Sequence, residues 1–238
     1  MKVLGIIPAR FGSSRFPGKP LIDLKGKTMI QRVYEGASEC GELSKVIVAT
    51  DDERIYTHVR SFGGEVMMTS NLHSSGTERC AEVAAHFPDM EIVVNIQGDE
   101  PLVNPIQLTE LIQAFQHGKV EIATLVSPKI DSSELDNPNR IKVVIDYNQN
   151  ALFFSRSRIP SVMFASHYIP LKHIGLYAFR NKVLGKLVSL PATELEISES
   201  LEQLRWLYYG YKIKTIETLI ETPNIDTPAD VEAVLKQL

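Results

Sequence analysis

Arg10, Arg15 and Lys19 fall together with Gly12, Gly18 and the hydroxyls of Ser13 and Ser14 in the stretch from Pro8 to Pro20. Such a stretch can wrap an anion. Glycine backbone approaches phosphate oxygens closely, guanidinium forks grip them in pairs, and an ammonium adds a point charge. This density of cations would suit a triphosphate. A solvated basic turn can have the same composition, so position has to decide between the two. The stretch directly follows Val3 to Ile7, an apolar run that predicts a first strand, and open α/β sheets take ligands outside the carboxyl ends of their strands. Neither GxGxxG nor GxxxxGK[ST] occurs, which weakens dinucleotide-redox and P-loop chemistry.

A second strand-end turn carries carboxylates. The run Ile92 to Ile96 is apolar enough for a central strand and delivers Gln97-Gly98-Asp99-Glu100-Pro101 to the same edge as the basic stretch. Mg²⁺ takes one or two carboxylates and fills its remaining positions with substrate phosphate oxygens and water, so Asp99 needs only one distant partner. Asp226 is the candidate, in Ile225-Asp226-Thr227-Pro228-Ala229-Asp230. There Thr227 reads as a helix N-cap, Pro228 as the first helical residue and Asp230 as the partner of a near-capping box. Residue types alone leave metal binding and simple capping both open at Asp226.

The elements that must position these residues alternate. Apolar runs at Val3 to Ile7, Val46 to Ala49, Ile92 to Ile96, Ile122 to Val126 and Val143 to Ile145 predict strands. Helical periodicity predicts helices at Met29 to Cys40, Glu53 to Phe62, Thr77 to His86, Pro105 to Gln116, Ser198 to Tyr209 and Pro228 to Gln237. This is an α/β pattern, a parallel sheet covered by helices. Between about 141 and 179 it changes to shorter β-like pieces, Ala151 to Phe154 and His173 to Phe179, which read as an insertion in a single domain spanning 1–238. Leu201, Leu204 and Leu207 make a buried helical stripe, and Trp206, Tyr208 and Tyr209 read as packing rather than a base-stacking platform.

The 238 residues are 44% hydrophobic and 23% charged, which excludes a fibre or a disordered tail. With Lys+Arg 25 against Asp+Glu 29 there is no general basic surface for nucleic acid, so any phosphate binding is local. Two cysteines, Cys40 and Cys80, lie far apart with no CxxC spacing, which fits a reducing cytoplasm better than a disulfide framework. The apolar start is too short for a signal peptide and no stretch approaches the ~20 residues of a membrane span, so neither export by that route nor membrane insertion is expected.

Several strings carry a resemblance. They are Ile7-Pro8-Ala9-Arg10 with Ser14-Arg15-Phe16-Pro17-Gly18-Lys19-Pro20-Leu21, Ala49-Thr50-Asp51-Asp52, Ser75-Gly76-Thr77-Glu78-Arg79 and Asn95 to Pro101. They continue through Phe154-Ser155-Arg156-Ser157-Arg158-Ile159-Pro160, His173-Ile174-Gly175-Leu176-Tyr177, Leu201-Glu202-Gln203-Leu204-Arg205 and Ile225 to Pro228. Together, in this order over nearly the whole chain, they closely resemble the 3-deoxy-manno-octulosonate (Kdo) cytidylyltransferase, or CMP-Kdo synthetase, family. The first string is shared in outline with other sugar nucleotidyltransferases, whereas SGTER, QGDEP and LEQLR point to this family.

The resemblance implies a nucleotide-diphospho-sugar transferase-like three-layer fold, with a mostly parallel sheet, helices on both faces and a small β-rich insertion where the family dimerises. It implies a cytoplasmic homodimer that joins CTP to Kdo with Mg²⁺, giving CMP-Kdo and pyrophosphate for lipopolysaccharide biosynthesis. Carried over residue by residue, Arg10, Arg15, Lys19 and Asp99 serve catalysis. Pro8, Ala9, Arg10, Ser13, Lys19, Ser75, Gly76 and Arg79 take the nucleotide. Gln97, Arg156, His173, Tyr177, Glu202 and Gln203 take the sugar, and Asp99 and Asp226 the metal. The metal would bridge the α-phosphate and the attacking hydroxyl.

This chain departs from the family between Pro160 and His173, where the short Ser161 to Pro170 segment replaces a longer, charged one. That segment borders the sugar site, which keeps 8-amino-Kdo or another acidic sugar open as the acceptor. A catalytically silent nucleotide-sensing scaffold on the same fold is the alternative of another class.

Overall fold

Residues 1–12, 16–116, 119–161 and 168–238 are described by the computed structural model. In chain order the elements are β1 (Val3–Ala9), β2 (Asp23–Leu24), β3 (Lys27–Thr28), α1 (Met29–Ser38), β4 (Lys45–Thr50), α2 (Glu53–Ser61), β5 (Val66–Met68), α3 (Gly76–Ala85), β6 (Ile92–Asn95) and α4 (Pro105–Gln113). There follow β7 (Ile122–Ser127), β8 (Lys142–Ile145), β9 (Ala151–Ser155), β10 (Leu171–Arg180), α5 (Asn181–Val188), α6 (Glu194–Glu199), α7 (Gln203–Tyr208), β11 (Ile213–Glu217) and α8 (Pro228–Leu235).

The main sheet runs β11-β7-β10-β6-β1-β4-β5. Its pairs are parallel except at β10, which is antiparallel to β6 and β7. Alternate residues of each strand feed opposite layers. On one face Ile7, Val48 and Val94 join Ile30, Val33, Ile55 and Leu108 of α1, α2 and α4. On the other, Leu4, Ile6, Ala49 and Val93 join Cys80, Val83, Leu184 and Leu204 of α3, α5 and α7. Burial on both faces is why these strands read as unbroken apolar runs in the sequence. The result is the three-layer α/β architecture expected. Among the described residues no helix is long and apolar enough to cross a membrane.

The β-rich stretch does not stay apart from the sheet. β8 and β9 form an antiparallel hairpin that joins the first residues of β10, Leu171 and Lys172. Further along, Tyr177, Ala178 and Phe179 of β10 pair with both β6 and β7, after a break in register between Ile174 and Tyr177. One strand therefore belongs to hairpin and sheet alike, and Leu176 to Phe179 is buried within the main sheet.

The single helix expected over Ser198 to Tyr209 is two helices, because Ser200 takes a left-handed backbone (φ 50°) that ends α6 before α7 begins. Trp206 is buried, edge-on to Tyr177 and Phe179, as the packing expectation had it. Tyr208 and Tyr209 are exposed instead. A third apolar cluster, Leu24, Met29, Ile225 and Val234 with Phe16 and Leu102 against it, pins the C-terminal segment onto the chain that follows β1.

Candidate active site

Two turns meet because their strands are neighbours. β1 and β6 run parallel in register, Val3 opposite Ile92 through Ile6 opposite Asn95, so the chain leaving each emerges at the same sheet edge. The approach is close enough to demand glycine. A Cβ at Gly98 would lie 2.7 Å from the Pro8 carbonyl oxygen. On the other side, Gly18 in left-handed conformation (φ 73°) returns its N–H to Phe11 O at 3.0 Å, which folds the basic stretch back so that Lys19 faces the carboxylates.

Lys19 marks the centre. Its ammonium donates to Asp99 Oδ2 at 2.8 Å and to Ile225 O at 2.8 Å, and lies 3.8 Å from Asp226 Oδ1. The two aspartates, remote in sequence, thus converge on one cation. Backbone ties hold them there: Ile225 N–H donates to Asp99 O at 2.9 Å. Asp226 also begins the cap of α8, since its own N–H and that of Thr227 both donate to Asp230 Oδ2. Capping and convergence coexist at Asp226 because the cap uses its main chain and leaves its carboxylate in the cleft. Among the described residues no three His, Cys, Asp or Glu side chains cluster as a closed metal cage. Two hard carboxylates with room for phosphate oxygens and water are the donor set that Mg²⁺ accepts, so the residues fit that ion. Glu100, next in the turn, is buried and accepts from Thr222 Oγ1 at 3.2 Å. Burial, and then the neighbouring Asp99, push its pKa up to about 8, so near neutral pH Glu100 is largely protonated.

On one side of this centre a cleft of about 250 Å³ is lined by Pro8, Ala9, Arg10 and Lys19, by Ser75, Gly76 and Arg79, and by Gln97, Asp99 and Asp226. Ser75 caps α3, accepting from Glu78 N–H at 3.1 Å and donating to Glu202 Oε1 at 2.9 Å. The Arg79 guanidinium is buried and engaged by Asp51 Oδ2 at 2.9 Å and by Thr69 Oγ1. Ser13 and Arg15 lie outside the described residues.

On the other side a cavity of about 390 Å³ gathers Gln97, His173, Tyr177 and Gln203 with Asp99 and Asp226. Gln97 donates to Gly175 O at 2.8 Å. His173 sits edge-on to Phe154 and 3.0 Å from Thr124 Oγ1 through Nε2, and burial lowers its pKa to about 3. It is a neutral imidazole here, able to make hydrogen bonds but not to supply charge.

Two residues expected in the sugar pocket point elsewhere. Arg156 lines neither cleft: its guanidinium donates to the carbonyls of Glu199, Pro138 and Ser200, tying β9 to α6. Glu202 accepts from Ser75 and Thr77, so it braces the start of α3 on the nucleotide side, and burial raises its pKa. Residues that sequence reasoning left out also line the site. His73 stands in the first cleft beside Glu82. Arg140, Lys172, Thr222 and Asn224 stand in the second. Lys172 adjoins His173 in sequence, which was a usable signal; Arg140 lies in a turn with no motif of its own.

Comparison with known proteins follows this geometry. The sequence pattern of the cytidylyltransferase family matches residues 4–216. A 3-deoxy-manno-octulosonate cytidylyltransferase of Parabacteroides distasonis is 50% identical, over 99% of this chain and 97% of that protein. An 8-amino-3,8-dideoxy-manno-octulosonate cytidylyltransferase of Shewanella frigidimarina is 47% identical, over 97% and 96%. A solved CMP:2-keto-3-deoxy-manno-octonic acid synthetase complexed with CTP superposes with a TM-score of 0.95 at 44% identity, covering 100% of this chain and 98% of that one. Strings, fold and full-length likeness agree, and the chain belongs to the cytidylyltransferase family, in the group of the CMP-Kdo synthetases.

Proposed function

We propose that this enzyme transfers CMP from CTP to Kdo, releasing pyrophosphate, with Mg²⁺ held by Asp99 and Asp226. The observation that carries the proposal is the seam: Gln97, Asp99 and Asp226 line both the cleft next to the basic stretch and the cavity on its far side. A nucleotide in the first and a sugar in the second would meet at the two carboxylates.

Nucleotidyl transfer asks the protein mainly to align an attacking hydroxyl with the α-phosphorus and to neutralise developing charge. Lys19 and Arg10 stand on the wall where the triphosphate would lie, and Lys19 exchanges its contact with Asp99 for phosphate oxygens as CTP enters. The main chain at Ala9 and Gly76 presents polar groups for the cytosine edge, because the Ser75 hydroxyl is already committed to Glu202. Neutral His173 and the amides of Gln97 and Gln203 orient sugar hydroxyls. When bound, the divalent ion supplies charge neutralisation at the phosphate and makes the sugar hydroxyl more acidic.

The homodimer is part of the same proposal. Leu152 of β9, Ile197 of α6 and Tyr208 of α7 leave apolar surface exposed on elements that pack side by side. Buried free thiols at Cys40 and Cys80 support a cytoplasmic setting.

The test is pyrophosphate release with CTP and Mg²⁺ over Kdo, 8-amino-Kdo and a sialic-type acid, with UTP as control. Release with Kdo and CTP is expected. The 47% likeness to the 8-amino enzyme makes 8-amino-Kdo the second reading, and release with that sugar alone would select it. No release with any acid would leave the silent scaffold.

A further inference from the structure

The proposed acceptor is an anion, and its carboxylate shares a carbon with the hydroxyl that attacks. Whichever cation holds that carboxylate therefore also aims the nucleophile. Arg156, the expected cation, is spent on three backbone carbonyls. His173 is neutral, and the Ser161 to Pro170 segment contains no Lys or Arg. Arg158 faces Asp136 at 3.7 Å and lines neither of the two clefts described.

Among the described residues, the basic side chains that line the sugar-side cavity are Arg140 and Lys172. We propose that Arg140, with Lys172 beside it, holds the carboxylate of the sugar acid. Arg140 is built for such a task. Its Nε donates to Glu134 Oε1 at 2.8 Å, which orients the guanidinium, and among the described residues no hydrogen bond engages its Nη groups. Those two groups are the fork that fits a carboxylate. The turn that carries it is fixed from below: Arg140 N–H donates to Asn137 O at 3.1 Å, and the buried Lys142 ammonium donates to the same carbonyl at 3.0 Å and to Arg156 O. Lys172 is itself held by Glu221. Arg156 and Lys142 thus secure the platform, and Arg140 does the recognising.

This assignment rests on the Kdo proposal above, and the experiment separates them. Steady-state pyrophosphate release is measured for wild type, Arg140→Ala, Arg140→Gln and Arg140→Lys, varying Kdo and CTP in turn, with thermal melts on each. Kdo carboxamide serves as the uncharged comparator. Expected is a rise of about tenfold to a hundredfold in KM for Kdo with Arg140→Ala and Arg140→Gln. KM for CTP should stay within about twofold, with partial rescue in Arg140→Lys. The wild-type preference for acid over amide should shrink by the same factor in Arg140→Ala, a readout that a merely structural role would not move. Unchanged KM for Kdo, or an acid-to-amide preference equal in wild type and variant, overturns the assignment and leaves the Kdo proposal intact. Wild type that fails to use Kdo overturns both.

Discussion

The two halves of the site are built in opposite ways. On the nucleotide side, the groups come from the end of a parallel strand and the chain just after it, Pro8 to Arg10 with Lys19 for β1 and Gln97 to Asp99 for β6, and from the start of α3, Ser75 to Arg79. Strand register brings these turns together, and Gly98 lets two of them touch. On the sugar side, the lining comes from the turn before β8, the irregular middle of β10, the start of α7 and the segment before α8. No local pattern joins those pieces. A half-site made of turns at one sheet edge has its residues placed by strand register, whereas one made of scattered walls has each residue placed by a different element. The division predicts that changes in the first half act on CTP and changes in the second on the acceptor.

The sharpest way to break this division is at the seam. Asp99→Ala removes the carboxylate that both halves share, and kcat/KM is expected to fall about a thousandfold or more for CTP and Kdo alike. Circular dichroism should show an unchanged fold, since Asp99 is partly exposed and its main chain still receives the Ile225 N–H. A loss confined to one substrate would mean that the aspartate belongs to one half only. Next in size is Lys19→Ala. It should cut kcat/KM for CTP by about tenfold to a hundredfold, the weight of a charged contact to phosphate, with a smaller change for Kdo. Equal losses for both would place Lys19 at the seam as a spacer between Asp99 and Asp226 rather than on the triphosphate.

The same division explains what the sequence disclosed. The nucleotide side was legible because each of its strings is contiguous, and an apolar run that gives way to Pro or to polar residues tells both where a strand ends and what its end carries. Five strands and the long helices α1 to α4 could be placed for that reason. β5 is three residues long, α5 starts at Arg180 and Asn181 with no side-chain cap, and β11 follows a polar loop, so each lacked a start signal. β10 misled because its first two residues pair with the hairpin while the strand as a whole runs through the main sheet. Arg156 and Glu202 were assigned by string alone, and a string does not say which way a side chain turns once Pro138, Glu199 and Ser200 offer carbonyls or Ser75 and Thr77 offer hydroxyls. Arg140 needed the opposite information, since only the folded chain brings Asn139 and Arg140 up to His173 and Asn224.

Glu202 gives a third, smaller test. Glu202→Ala leaves the buried ends of two hydroxyl pairs open, at Ser75 and Thr77, and should cost about 1–3 kcal/mol, seen as a fall of several degrees in Tm. Because those hydroxyls shape the start of α3, KM for CTP is expected to rise several-fold while KM for Kdo stays within about twofold. A selective rise for Kdo would return Glu202 to the sugar side and blur the boundary between the halves.

A last test leaves turnover aside and concerns how the seam keeps its charge. Glu100 titrates in the folded protein near 8 instead of near 4.5, because its carboxyl is buried and next to Asp99. A buried acid with a raised pKa leaves stability intact below about 4.5. As pH rises the unfolded chain gives up that proton first, so stability falls by roughly 1 kcal/mol per pH unit until about 8 and is flat beyond. Glu100→Gln has no proton to lose, and its amide oxygen can still accept from Thr222. Melting temperatures recorded from pH 5 to 9 should therefore diverge: wild type drops by about 2–4 °C per pH unit relative to the variant up to pH 8, and the two curves run parallel above it. Curves parallel throughout would mean that Glu100 is ionised at neutral pH. The turn would then bring two charges, not one, to the point where nucleotide and sugar meet.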